Sequence, residues 1–332
     1  MFKTITKLTV LLLASYVMIE LTYRFYAAGP LAFNLVKFNS LNMLLQTGMV
    51  RESENPEIYF ELKPDLDSWF QGVRFRTNSA GLADDEYTMD KPADVTRVAV
   101  IGSSWSMPTG VTYEDAYHSV LERELTDAGD GHRYEFINFA VEYYGLREQV
   151  ATARDRAMEY DPDLIIFAIT TFTANLRWED PDANKPLPGQ TYPVFSSYSL
   201  RELDRTLKTR LIKRGFDGRP IVDYQTEDEM HSQLKRAVNE LGEMSAAHDV
   251  PVVVTWLSNS MPSLETVELM ERICADNNVL FVKAYKVLSP TAGRSWKYKT
   301  GRFDKHPNAE AHSLIAGHLR QTLQENNLLV GK

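Results

Sequence analysis

Two residues far apart in the chain carry the clearest chemistry. Ser104 follows a β-branched run and a small-residue turn, in Val98-Ala-Val-Ile101-Gly102-Ser103-Ser104. His306 lies in Asp304-Lys305-His306-Pro307-Asn308, just ahead of the last amphipathic segment. A serine hydroxyl becomes a nucleophile when an imidazole takes its proton, and a carboxylate holds that imidazole in the useful orientation. Asp304, two residues before His306, has the right type for the third role. Each half has a plainer reading when taken alone. A strand–Gly–Ser turn is common punctuation, and a His-Pro-Asn loop is often structural. The chemistry therefore depends on elements that bring positions 104 and 306 together.

Hydrophobic periodicity supplies such elements. It predicts strands over 98–101, 134–140, 163–169, 251–257 and 279–282, and helices over 116–127, 144–160, 226–247, 264–276 and 309–326. Asn308 is placed to cap the last helix. The run 163–169 is apolar throughout, as a central parallel strand covered on both faces should be. Strand–helix alternation points to a doubly wound parallel sheet. In such a sheet, loops beyond the carboxyl ends of the strands bind ligands, and the 102–104 turn is one of these loops. A serine there would have its hydroxyl in a cleft and its backbone N–H free. A Pro-containing stretch, 176–225, is too long for a simple connection and reads as a lid-like insertion.

Composition narrows the alternatives. The formal net charge is −9, so nucleic acid is excluded as a partner. Cys274 is the only cysteine, which removes disulfides and multi-Cys zinc sites, and its neighbours make it a helix core position. No His/Asp/Glu set has metal-ligand spacing, and no cofactor or metal is expected. Of the other histidines, His118, His231 and His248 fall in helical patterns, His132 in a turn, and His312 and His318 in the last helix. The first four read as surface or packing residues.

The amino terminus is a membrane segment. Lys3 and Lys7 precede an uncharged run, 8–19, and the apolar stretch reaches ~20 residues if Glu20 is tolerated and Arg24 snorkels. A signal peptide ending near Tyr26-Ala27-Ala28-Gly29 is one reading. An uncleaved signal-anchor over 1–29 is preferred, because no small-residue site directly follows the apolar core. Either reading puts the main domain on the outer side of the membrane, which for a bacterial chain is the periplasm. Residues 30–50 pattern as an amphipathic helix. Residues 59–64 and 73–77 alternate like strands of a hairpin, so 30–92 reads as a helix and a small β lead-in to an α/β domain over 93–332.

Taken in order, several blocks resemble the SGNH (GDSL-type) hydrolase superfamily, and more closely its membrane-anchored bacterial members. They are Leu62-Lys-Pro64, Thr77-Asn-Ser-Ala-Gly-Leu82, Gly102-Ser103-Ser104, Ile137-Asn-Phe-Ala140, Tyr160-Asp-Pro-Asp-Leu164 and Asp304-Lys-His-Pro-Asn308. The resemblance spans roughly residues 55–330. It implies a flavodoxin-like three-layer α/β/α sandwich with a mostly parallel sheet. It implies Ser104 as nucleophile, with its N–H as one oxyanion donor, and His306 as base.

The sequence departs from the family pattern at several places. Ser103 replaces the usual Asp before the nucleophile. The second-block glycine aligns with Tyr143 or Tyr144, with Gly145 just beyond. The third-block asparagine is Asn175 from a shifted loop, or Thr173 stands in for it. The Asp usually three before the histidine is Phe303, so either Asp304 orients His306 or the site runs as a Ser–His dyad. The implied function is a membrane-anchored serine ester hydrolase or O-acyltransferase, acting on acylated glycans or other small esters. The alternative is a catalytically degenerate glycan-binding or assembly component, with protein partners in an envelope complex.

Overall fold

The apolar runs assemble into a five-stranded parallel sheet. The structure is a computed structural model that describes residues 2–41, 44–127, 132–178, 197, 199–200, 203, 207, 225–258, 261–288, 297–301 and 304–329. The insertion expected over 176–225 lies largely outside the described residues.

The sheet strands are β5 (Val95–Ile101), β6 (Arg133–Asn138), β7 (Leu164–Ile169), β8 (Val252–Trp256) and β9 (Leu280–Val282). Their spatial order is β6-β5-β7-β8-β9, and every pairing is parallel. By position in the sheet this is the 2-1-3-4-5 order of flavodoxin-like folds. The order reverses between β5 and β7, so the crevice beyond the carboxyl ends of these two strands is the expected ligand position. Ser104 follows β5 by three residues and lies at that crevice.

Alternation along each strand builds three layers. Ala99, Ile101, Ile165, Phe167 and Ile169 face one core, which is closed by α4 (Leu146–Asp155), α6 (Glu227–His248) and α7 (Leu264–Asp276). Val98, Val100, Leu164, Ile166 and Ala168 face the other, closed by α3 (Tyr117–Thr126) and α8 (Ala309–Glu325). Burial on both faces explains why β7 shows no polar residue. Local caps set the helix starts: Asn308 Oδ1 accepts from Ala311 N–H at 3.1 Å, and Thr226 caps α6.

The amino-terminal helix α1 (Phe2–Ala28) is long and apolar enough over Lys3–Tyr26 to cross a membrane, and little of it is buried in the protein. Its one acidic residue is neutralised within the helix, since Glu20 pairs with Arg24 at 2.6 Å, one turn on. Glu20 Oε2 also accepts from Ser199 N–H at 3.0 Å and from the hydroxyls of Ser197 and Ser199.

Two expectations for the lead-in change. The helix expected over 30–50 is broken into a 3-10 turn (Gly29–Phe33), the short α2 (Leu35–Asn39) and a second 3-10 turn (Leu44–Gln46). Asn34 restarts the chain by accepting from Lys37 N–H, and Gly48 turns it with φ +74°. The alternating segments 59–64 and 73–77 also do not pair with each other. The strand β2 (Phe60–Leu62) pairs with β1 (Val50–Glu52), and β4 (Val73–Arg76) pairs with β3 (Asp67–Phe70). The second hairpin turns through Gln71-Gly72, both at positive φ, as a two-residue hairpin loop requires.

A third apolar cluster joins this lead-in to the domain. Leu62, Phe70 and Phe75 pack with Met107, Val141 and Tyr144, which lie in the loops after β5 and β6. Gly81 is needed to fold the lead-in onto itself. Its φ is +74°, and a Cβ there would lie 2.6 Å from the Leu62 carbonyl oxygen, a backbone atom with nowhere to go. Gly81→Ala should therefore lower stability by about 1–3 kcal/mol, read as a loss in denaturation midpoint of the detergent-solubilised chain.

Candidate active site

Beyond Ile101 the chain turns back on itself. The N–H groups of Ser106 and Met107 both donate to the Ser103 carbonyl, at 2.9 and 2.8 Å. Gly102 is required by this turn, because a Cβ there would sit 2.3 Å from Ser106 Oγ. Ser106 is buried and its hydroxyl bonds the Tyr117 hydroxyl at 2.9 Å. His312 stacks on Tyr117 at 6.0 Å, and His118 meets it edge-on at 5.6 Å. Burial pushes both imidazoles down to about 3, so they stay neutral and serve as packing beneath the turn. Ser104 is left half-buried at the tip.

The histidine loop is held just as firmly. An antiparallel bridge joins Lys299 to Pro307, Thr300 N–H donates to the His306 carbonyl at 3.0 Å, and Asn308 N–H donates to the Tyr298 carbonyl at 3.0 Å. Asp304 Oδ1 accepts from the His306 backbone N–H at 3.0 Å and lies 2.5 Å from His306 Nδ1. The two side chains are 29% and 23% exposed. This arrangement fixes the Nδ1–H tautomer and leaves Nε2 as the acceptor, which is what a general base needs. The loop packs on the one that carries Ser104, for a Cβ on Gly110 would lie 2.9 Å from Thr300 Cγ2.

Charge within the pair is set locally. Burial acts to raise the Asp304 pKa, but the hydrogen bond and charge of His306 outweigh it and hold the carboxyl below its usual range. Burial acts to lower the His306 pKa, but Asp304, and after it Glu142, outweigh that and hold the imidazole above its usual value. Among the described residues no hydrogen bond joins Ser104 Oγ to His306.

The oxyanion positions differ from the expectation in several places. The Ser104 N–H is not free; it donates to Ser103 Oγ at 2.6 Å. Rotation about Ser103 χ1 frees it. Tyr144 is fully buried in the lead-in interface, with its hydroxyl on the Phe60 carbonyl at 2.6 Å, so it does not face the crevice. Gly145 is the N-cap of α4 and gives its N–H to Glu148 Oε2 at 2.9 Å. Thr173 is buried, with its hydroxyl donated to the Thr170 carbonyl at 2.9 Å in the first turn of α5 (Thr171–Ala174). Asn175 gives Nδ2 to the Thr171 carbonyl at 2.7 Å.

Tyr143 is different. It holds φ +74°, a conformation suited to glycine, and its N–H makes no hydrogen bond among the described residues. Its ring leans on Phe172, centroids 6.0 Å apart. A bulky residue in this region is strained, and strain of this kind gathers at functional sites.

One further group was missed from the sequence. Glu142, in the same loop, is 6% exposed, and its Oε2 has no hydrogen-bond partner. Its signal was a lone acid ending the apolar run Ile137-Asn-Phe-Ala-Val141.

No family model matches the chain, and no curated protein matches it. Solved structures do. One is an α/β hydrolase enzyme, LAE5, from the metagenome of Lake Arreo, Spain, at TM-score 0.45 and 14% identity, covering 71% of this chain and 97% of that one. TesA is similar at TM-score 0.44 and 14% identity, over 70% of this chain and all (100%) of its own. A catalytic mutant of Axe2, an acetylxylan esterase from Geobacillus stearothermophilus, is similar at TM-score 0.45 and 12% identity, over 71% and 95%.

Proposed function

We propose that the chain is a membrane-anchored serine ester hydrolase or O-acyltransferase. The observation that carries this reading is the Asp304–His306 pair, 2.5 Å apart in a loop that packs on the one carrying Ser104. Ser104 Oγ attacks the acyl carbonyl carbon while its proton passes to His306 Nε2. The C–O bond to the alcohol then breaks, and His306 returns that proton to the leaving oxygen. Water or a sugar hydroxyl next attacks the acyl-serine, giving its proton to His306, which hands it back to Ser104 as the acyl group departs. The Tyr143 N–H, and the Ser104 N–H once released by Ser103, face the developing oxyanion. The sequence resemblance favours O-acyl groups on glycans, or other small esters, as substrates. Lys3 and Lys7 on the amino side of α1 favour an anchored domain on the outer side of the membrane.

A second reading has its own support. The N–H of Ser104 and the amide of Asn175 are both engaged, as they would be in a non-catalytic glycan-binding or assembly component of an envelope complex. Labelling the full chain in detergent with a fluorophosphonate separates the two. The enzyme reading expects labelling, and hydrolysis of a short-chain acyl ester, that are both lost in Ser104→Ala. Equal inertness of wild type and variant, with acetylated glycan still bound, would replace it with the second reading.

A further inference from the structure

We propose that Glu142 is a second carboxylate of the Asp304–His306 pair: a positioning residue that holds positive charge on His306 while the imidazole carries the Ser104 proton. The inference rests on the serine reading above and deepens it.

Three observations converge. Glu142 is buried, yet Oε2 has no donor, an arrangement that costs free energy unless some state of the protein supplies a partner. The loop that carries it is fixed on both sides. Glu142 N–H points at Met107 Sδ, 3.4 Å away, and Tyr144 is anchored on the Phe60 carbonyl. The loop follows β6, the parallel neighbour of β5, and so lies beside the Ser104 turn, and the charges of His306 and Asp304 act on the carboxyl. These two are the charged groups that act on it; the neighbouring Tyr143 phenol feels its charge in turn.

Of these groups only His306 can offer a positive charge, and it does so when protonated. That state arises transiently in every acyl-transfer step. An interaction stronger there than at rest lowers the barrier rather than only tightening substrate binding. Burial, with Asp304 adding to it and His306 opposing, pushes the Glu142 carboxyl up to about 7. At rest in mildly acidic solution it therefore stays protonated and tolerates its unpaired site. Above neutrality it is ionised and supports the imidazolium.

The test compares wild type, Glu142→Gln, Glu142→Ala and Ser104→Ala as full chains in detergent, with a short-chain acyl ester across a range of pH. Loss of the carboxylate makes His306 less basic, so the acid limb of kcat/KM should move to lower pH in Glu142→Gln. The plateau should fall roughly 10-fold. A second readout needs no turnover. A carboxyl whose pKa is raised on folding binds more protons folded than unfolded, so wild-type stability should decline as pH rises from the ordinary glutamate range through about 7. Glu142→Gln should decline less steeply over that range, keeping the share that comes from Asp84, which burial also pushes up to about 7.

An unchanged acid limb in Glu142→Gln, with Ser104-dependent turnover intact, overturns this inference alone. Wild-type behaviour in Glu142→Gln beside a loss of about 100-fold in Glu142→Ala also overturns it, by making the group a neutral hydrogen-bond donor to the oxyanion. Turnover that survives in Ser104→Ala, or is absent from wild type, overturns the serine reading and this inference with it.

Discussion

Replacing His306 by alanine should lower kcat for Ser104-dependent ester cleavage by about 10⁴-fold or more, because the hydroxyl then has no base and no return path for its proton. Asp304→Asn should cost about 10²–10⁴-fold for a different reason. The loop geometry survives, but the amide can present a donor to Nδ1 and so stabilise the wrong tautomer. The pH profile separates the roles. Asp304 is the largest influence holding His306 above its usual pKa, so Asp304→Asn should move the acid limb of kcat/KM to lower pH. The same pair makes stability depend on pH at both ends. The His306 contribution is fully present below the ordinary imidazole pKa and is lost as pH rises through the raised folded value. The Asp304 contribution is present above the ordinary carboxylate pKa and is lost as pH falls through the depressed folded value. Denaturation midpoints of wild type and Asp304→Asn should therefore differ most between those limits and converge outside them. Wild-type turnover in His306→Ala would remove the base and the mechanism with it.

The parts of the site legible in the sequence were those encoded by burial and by local chain direction. Residues 98–101, the end of the strand before Ser104, could be read because both of its faces are covered there, which favours a run of apolar residues. Asn308 could be read because a helix start needs a side-chain acceptor, whatever the helix packs on. Pairing was less legible. Residues 59–64 and 73–77 alternate, but alternation says only that one face is buried and does not name the partner strand. The Gln71-Gly72 turn that decides it carries a weak signal, since glutamine rarely takes positive φ. Hydrogen-bond occupancy was not legible at all. Whether Ser104, Gly145 or Asn175 has a donor to spare depends on Ser103, Glu148 and the Thr171 carbonyl, each positioned by the folded turn. The same holds for Glu142, whose neighbour His306 is distant in sequence and meets it only through the topology of the sheet.

Arg97 shows how far burial can run against composition, and its replacement should have the largest effect on stability. It lies within β5, just before the apolar run 98–101, yet it is fully buried. Nε and Nη2 both donate to Glu135 Oε2, at 2.9 and 2.7 Å, while Nη1 donates to the carbonyls of Tyr160 at 2.8 Å and Met89 at 3.1 Å. One guanidinium thus ties β5 to β6, to the chain entering β7, and to the end of the lead-in. Arg97→Met preserves much of the volume but leaves a buried carboxylate and two carbonyls without donors. Breaking such a pair from one side costs about 3–5 kcal/mol, read as a fall in denaturation midpoint. The double variant Arg97→Met/Glu135→Leu should recover much of that loss, because the larger share comes from the stranded Glu135 charge and not from the lost attraction. A double variant no more stable than Arg97→Met would mean that the carbonyls of Met89 and Tyr160, and so the anchoring of the lead-in, account for the stability Arg97 provides.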